Sequence, residues 1–161
     1  MKLDDIDLTI LQTLQKDGGL SIAEIADKAG LTPSPCWRRI KRLEDEGVIA
    51  KRTIVIDTKS VGLNFIVYLT AKVAPATPAN YKAFEGAIQT TPEIVEATTM
   101  TGQDDYLLKI AVPDIDAFDR FIVKKLIPMD VLGDFRSSVQ VRVIKSMDSL
   151  PLDHLKSGKD H

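Results

Sequence analysis

Arg38, Arg39, Lys41 and Arg42 place four cations within five residues of "GLTPSPCWRRIKRLEDEGVI" (30–49), in a chain whose formal net charge is −2. Cations clustered this way neutralise phosphates or read guanine edges. Residues 33–52 hold six basic and three acidic side chains, whereas residues 53–161 hold twelve against fourteen, so basic character is concentrated in one short stretch. Other chemistry has little to work with. His154 and His161, the only histidines, lie in the polar C-terminal end, and Cys36 is the single cysteine. Intramolecular disulfides and zinc clusters are therefore excluded, and no imidazole serves the rest of the chain as a general base or metal ligand. Phosphate-binding glycine motifs are also missing, so no catalytic residue, metal or cofactor is predicted.

The elements that position these cations read as three helices. In "DDIDLTILQTLQK" (4–16), Ile6, Ile10 and Leu14, flanked by Leu3 and Leu11, form one apolar stripe, with acids at the start where the helix dipole favours them. "SIAEIADKAG" (21–30) opens on a capping box, Ser21 with Glu24, and closes on Gly30, which predicts a helix of about nine residues. Thr32 and Pro33 then cap and start a third helix that runs to Gly47. So tight a junction between the second and third helices is the helix-turn-helix pattern, with the third helix as the reading element.

On a helical wheel centred on Ile40, Cys36, Leu43 and Trp37 fall at about −40°, −60° and +60°, a contiguous apolar face. Arg38 and Arg42 lie within about 20° of the opposite pole, with Ser34 and Lys41 beside them at about +120° and +100°. A charged outer face is common on any amphipathic helix. Here, however, the face carries only basic and hydroxyl residues and begins where the helix-turn-helix junction predicts, while the acids are held back to 44–46. That pattern favours DNA. The predicted contacts are Ser34, Arg38, Arg39, Lys41, Arg42 and, just beyond the helix, Lys51 and Arg52. Cys36 reads as a small buried hydrophobe and Trp37 as the edge of the core.

"VIAKRTIVID" (48–57) reads as an extended stretch, a strand leading out of the helices, and "TKSVGLN" (58–64) as a boundary. From Phe65 the apolar period shifts towards two. Strands are predicted over 65–73, 94–101, 105–112 and 135–145, the last with Val139, Val141 and Val143 inward. Helices are predicted over 77–90, with Tyr81, Phe84 and Ile88 inward, and over 114–127, with Ile115, Phe118 and Ile122 on one stripe. The order β-α-β-β-α-β is the ferredoxin-like unit. The chain is thus α+β, a three-helix, winged-helix-like helix-turn-helix domain (1–52), a linker strand or hinge (53–64), a ferredoxin-like domain (65–147) and a C-terminal tail (148–161) that frays beyond Leu155. Its 44% hydrophobic and 27% charged residues are those of a globular protein. No stretch reaches 18 apolar residues, and "MKLDDIDL" lacks the regions of a signal peptide, so a cytoplasmic, nucleoid-associated protein with no membrane partner is expected.

With these residues in place, the chain resembles the Lrp/AsnC family of feast/famine transcriptional regulators over about residues 3–145. "LDDIDLTILQTLQKDGGLSIAEIADKAGLTPSPCWRRIKRLEDEGVI" is similar to the family's helix-turn-helix, and "TGQDDYLLKIAVPD" to its ligand-responsive domain. The resemblance implies a regulator of amino-acid metabolism or transport genes that binds double-stranded DNA and forms homodimers through its sheets, the dimers stacking into octamers. It also implies an amino-acid effector near "TGQDDY" (Thr101, Gly102, Gln103, Asp104, Asp105, Tyr106), with Ser137, Ser138 and Gln140 lining the pocket. Gly102 and Gln103 would offer backbone N–H groups to its carboxylate and Asp105 would take its ammonium. Read by itself, "TGQDD" serves equally well as a plain turn. An architectural DNA-binding protein without effector is the alternative, and an enzyme on the ferredoxin-like unit a remote third.

Overall fold

Reciprocal side-chain caps start the first two helices. The Asp4 carboxylate accepts from the Asp7 N–H at 2.8 Å and Asp7 accepts from the Asp4 N–H at 3.2 Å, opening α1 (Asp5–Lys16). Ser21 and Glu24 close the same motif ahead of α2 (Ile22–Lys28). This helix is seven residues long rather than nine, because the chain leaves helical geometry at Ala29 and turns through Gly30 at φ +66°. Pro33 occupies the first position of α3 (Pro33–Asp45), where its fixed φ suits the helix and no N–H is needed; the Thr32 side chain makes no capping bond.

The computed structural model describes residues 3–147 and 149–155. Among the described residues, those up to Ile54 and those from Ile144 to Leu155 form one compact unit, and Val55–Val143 the other. The first unit is built on Ile10, Leu11, Ile25, Ala26, Cys36, Ile40 and Leu43, with Leu3, Ile6 and Leu14 at the margin. Burying each large aliphatic side chain contributes about 1.5–3 kcal/mol. Leu152, from the C-terminal segment, packs against this same cluster, and Gln15 hydrogen-bonds both the N–H and the C=O of Leu150. The expected fraying past Leu155 concerns residues 156–161, which lie outside the described residues, as does His161.

The second unit runs β1 (Phe65–Val73), α4 (Pro78–Gln89), β2 (Ile94–Thr99), β3 (Tyr106–Val112), α5 (Ile115–Phe121) and β4 (Leu132–Val139), with a π-type turn at Ile122–Leu126 and a 3-10 turn at Ile127–Met129 after α5. Its antiparallel sheet has the order β2-β3-β1-β4, the ferredoxin-like arrangement. Val67, Leu69, Ala71 and Val73 of β1 join Tyr106, Leu108, Ile110 and Val112 of β3 on the face that packs against Phe84, Ile88, Phe121 and Leu126. Strand alternation turns Ile66, Tyr68, Thr70, Leu107, Lys109 and Ala111 to the face opposite the helices, where Ile66 and Ala111 are buried and the other four half-buried.

Several expectations need correction. Residues 48–57 form no strand, and Ile54, Val55 and Ile56 are all exposed, because nothing among the described residues offers a ladder partner. The last strand ends at Val139, six residues early. Val139, Val141 and Val143 are exposed rather than inward, Val141 at 94%; alternation in sequence marked extended chain without saying whether a core lay beside it. Ile115 is exposed at the start of α5, and Phe121 and Leu126 take the buried positions. Trp37, expected at the core edge, is 54% exposed because Cys36, Ile40 and Leu43 fill the contact by themselves.

Candidate functional site

The basic helix is held by a carboxylate that lies within the apolar stripe of α1. Asp7 is 1% exposed. It accepts from Arg39 Nη1 at 2.8 Å and from Arg42 Nη2 at 2.6 Å, besides the Asp4 N–H. Arg39 Nη1 also donates to both oxygens of Asp4, at 2.9 and 2.7 Å. The Asp7 N–H and, next, the Arg39 guanidinium hold the Asp4 carboxyl below its usual range. One flank of α3 is thereby neutralised and anchored to α1.

The other flank faces away. Ser34, Trp37, Arg38 and Lys41 are all exposed. Lys41 Nζ meets Asp45 at 2.9 Å, an exposed i,i+4 pair that a phosphate displaces at little cost. Among the described residues Arg38 has no acidic partner, nor has Lys51, whereas Arg52 pairs with Glu44 at 3.0 Å. The structure therefore brings Ser34, Arg38 and Lys41 to one surface and turns Arg39 and Arg42 towards Asp7. Cys36 is buried, and burial pushes its thiol pKa up, which keeps it protonated and inert.

Asp7 escaped the sequence reading. A signal was available: it lies three residues before Ile10 and four before Leu11, an acid inside an apolar stripe on a helix that must pack beside a basic one.

In the sheet unit, the "TGQDDY" loop joins β2 to β3 and is tied down at several points. Gly102 sits at φ +127°, a conformation open only to glycine. Met100 N–H donates to the Asp105 carbonyl, and Asp105 N–H to that of Ala71. The Asp105 Oδ2 accepts from Val73 N–H at 2.9 Å and from the Tyr81 hydroxyl at 3.4 Å, and Asp104 binds Arg136 through both oxygens. Among the described residues, the N–H groups of Gly102 and Gln103 carry no hydrogen bond.

The remaining residues expected there divide. Ser138 is opposite Tyr68 and shares the sheet face opposite the helices with Gln140, whose Oε1 accepts from the Tyr68 hydroxyl at 3.5 Å; Ser137, opposite Leu69, points to the helix side. Tyr106 is buried and donates to Glu85 at 2.8 Å. Desolvation, helped by that carboxylate, pushes its phenol pKa up to about 12. A cleft of about 190 Å³ opens beside it, lined by Glu85, Ile88, Gln89 and Ala97–Thr99. Loop residues 101–105 do not line that cleft. Among the described residues, no cluster of His, Cys, Asp or Glu could hold a metal ion, and no helix is long and apolar enough to cross a membrane.

Comparison with known proteins matches both units. A winged helix-turn-helix DNA-binding model fits residues 3–50 and an Lrp/AsnC ligand binding domain model residues 66–150. The glutamate uptake regulatory protein of Zymomonas mobilis is 36% identical over 94% of this chain and 92% of its own length. The DNA-binding transcriptional activator DecR of Escherichia coli is 32% identical over 94% and 99%. A Neisseria meningitidis transcriptional regulator solved as an L-Met complex superposes with a TM-score of 0.92 at 34% identity, covering 96% of this chain and 99% of that one.

Proposed function

The chain belongs to the Lrp/AsnC family of DNA-binding transcriptional regulators, and on that premise we propose how it works. The helical unit reads double-stranded DNA with α3 in the major groove, through Ser34, Arg38 and Lys41, with Lys51 reaching phosphate beyond the helix. The observation that carries this reading is the pairing pattern on α3: among the described residues Arg38 has no acidic partner, while Arg39 and Arg42 are spent on Asp4 and Asp7. Arg39 and Arg42 are positioning residues that hold the reading helix at its angle.

The sheet unit is the sensor and the assembly element. An amino acid binds with its carboxylate on the N–H groups of Gly102 and Gln103, and its ammonium meets Asp105 Oδ1, the oxygen left by Val73 and Tyr81. The Neisseria relative bound to L-Met supports an amino acid as the ligand class. The sheet face opposite the helices, bearing Tyr68, Leu107 and Lys109, packs on a second copy, giving a homodimer whose two α3 helices reach half-sites about one DNA turn apart; such dimers stack further, to an octamer. Effector binding changes DNA affinity only by favouring one assembly or pose over another.

The twenty amino acids, screened singly by thermal shift and then by DNA titration, test the scheme. At least one raises the unfolding temperature and changes DNA affinity. If none does either, the protein is an architectural DNA binder without an effector.

A further inference from the structure

We propose that Trp37 is a specificity-determining residue of DNA recognition, its exposed indole edge packing on thymine methyl groups in the major groove. The proposal rests on the DNA-reading role given above to α3. Trp37 is the chain's only tryptophan and is 54% exposed. It lies one helical turn from Ser34 and from Lys41 and next to Arg38. The Asp4 and Asp7 clamp on Arg39 and Arg42 fixes the rotation of α3 about its axis, so the indole emerges on the same flank as the one arginine of α3 without an acidic partner among the described residues.

Charge and polarity select the occupant. A large aromatic left in water beside Arg38, which has no acidic partner among the described residues, and Lys41, held only by an exposed pair, suits a surface that is polyanionic and carries isolated apolar groups. The major groove is such a surface. Its one apolar feature is the thymine C5 methyl, and its phosphates complement Arg38 and Lys41.

Selection from a random duplex pool first yields the preferred site. Each thymine of that site is then replaced by uracil, which deletes the methyl and keeps every hydrogen-bonding group. Wild-type protein is expected to lose about fourfold in affinity at one or more positions per half-site, the factor for losing one buried methyl contact. In Trp37→Ala those same replacements make no difference, and its salt slope stays that of the wild type because no phosphate contact is removed. A wild type indifferent to every thymine-to-uracil change overturns the proposal, and that reading needs no variant to fold. So does a Trp37→Ala protein that keeps the full uracil penalty, or one whose affinity falls equally on all duplexes. If the pool enriches no sequence, the DNA-reading role itself fails.

Discussion

Removing the arginines of the α3 clamp destabilises the helical unit more than removing the acid they share. Asp7 is 1% exposed and accepts three hydrogen bonds, two of them from guanidinium groups. The pair of changes Arg39→Ala and Arg42→Ala leaves its carboxylate with the Asp4 N–H alone, a buried charge without compensation, at a cost of about 3–5 kcal/mol. The opposite cut is gentler. After Asp7→Ala the guanidinium side chains, 26% and 42% exposed, rehydrate, and Arg39 keeps Asp4 at 2.7 Å. Water replaces Asp7 on both guanidinium groups and on the Asp4 N–H, so the loss stays at about 1.5–3 kcal/mol, below the gross sum of the three bonds removed. The triple variant, with no orphaned charge, recovers to near the Asp7→Ala value. Urea unfolding at neutral pH followed by tryptophan fluorescence reads these numbers, because the single tryptophan lies on α3 and reports on this unit. An Asp7→Ala loss equal to or larger than that of the double arginine variant refutes the reasoning.

Two further predictions concern the sheet unit. Tyr106 has its folded pKa raised to about 12, so its contribution is fully present below the unfolded value of about 10 and is lost as pH rises between the two. Wild type is expected to lose about 3 kcal/mol across that window, and Tyr106→Phe to lose markedly less, by denaturant unfolding at a series of alkaline pH values. Gly102→Ala forces a side chain into φ +127° and costs about 1–3 kcal/mol, while Thr101→Ala beside it stays near neutral; calorimetry separates them.

Caps, apolar stripes and turn glycines made the architecture legible, since "SIAE", "LTP" and the period change at Phe65 each have a local physical cause. The ion pairs were not legible from the wheel. The wheel puts Arg38 and Arg42 at one pole, yet Asp7 on another helix claims Arg42 and leaves Arg38 facing away. Likewise the alternation of Val139, Val141 and Val143 says which residues share a side of an extended chain, and burial depends on what packs there. The "TGQDDY" loop was legible as a turn between two strands, but Ser137 and Ser138, adjacent in sequence, fall on opposite faces of β4 by simple strand geometry.

Double-stranded DNA binding measured against salt tests the central claim most directly, with Arg38→Ala compared with wild type on one selected duplex and on variants of it with each guanine replaced. The account predicts salt-sensitive binding by the wild type. In Arg38→Ala affinity falls and, for a lost phosphate contact, the slope of log affinity against log salt shrinks by about 0.9; for a lost guanine contact the loss is confined to sequences carrying that guanine. An Arg38→Ala protein with unchanged affinity, slope and sequence preference would contradict it.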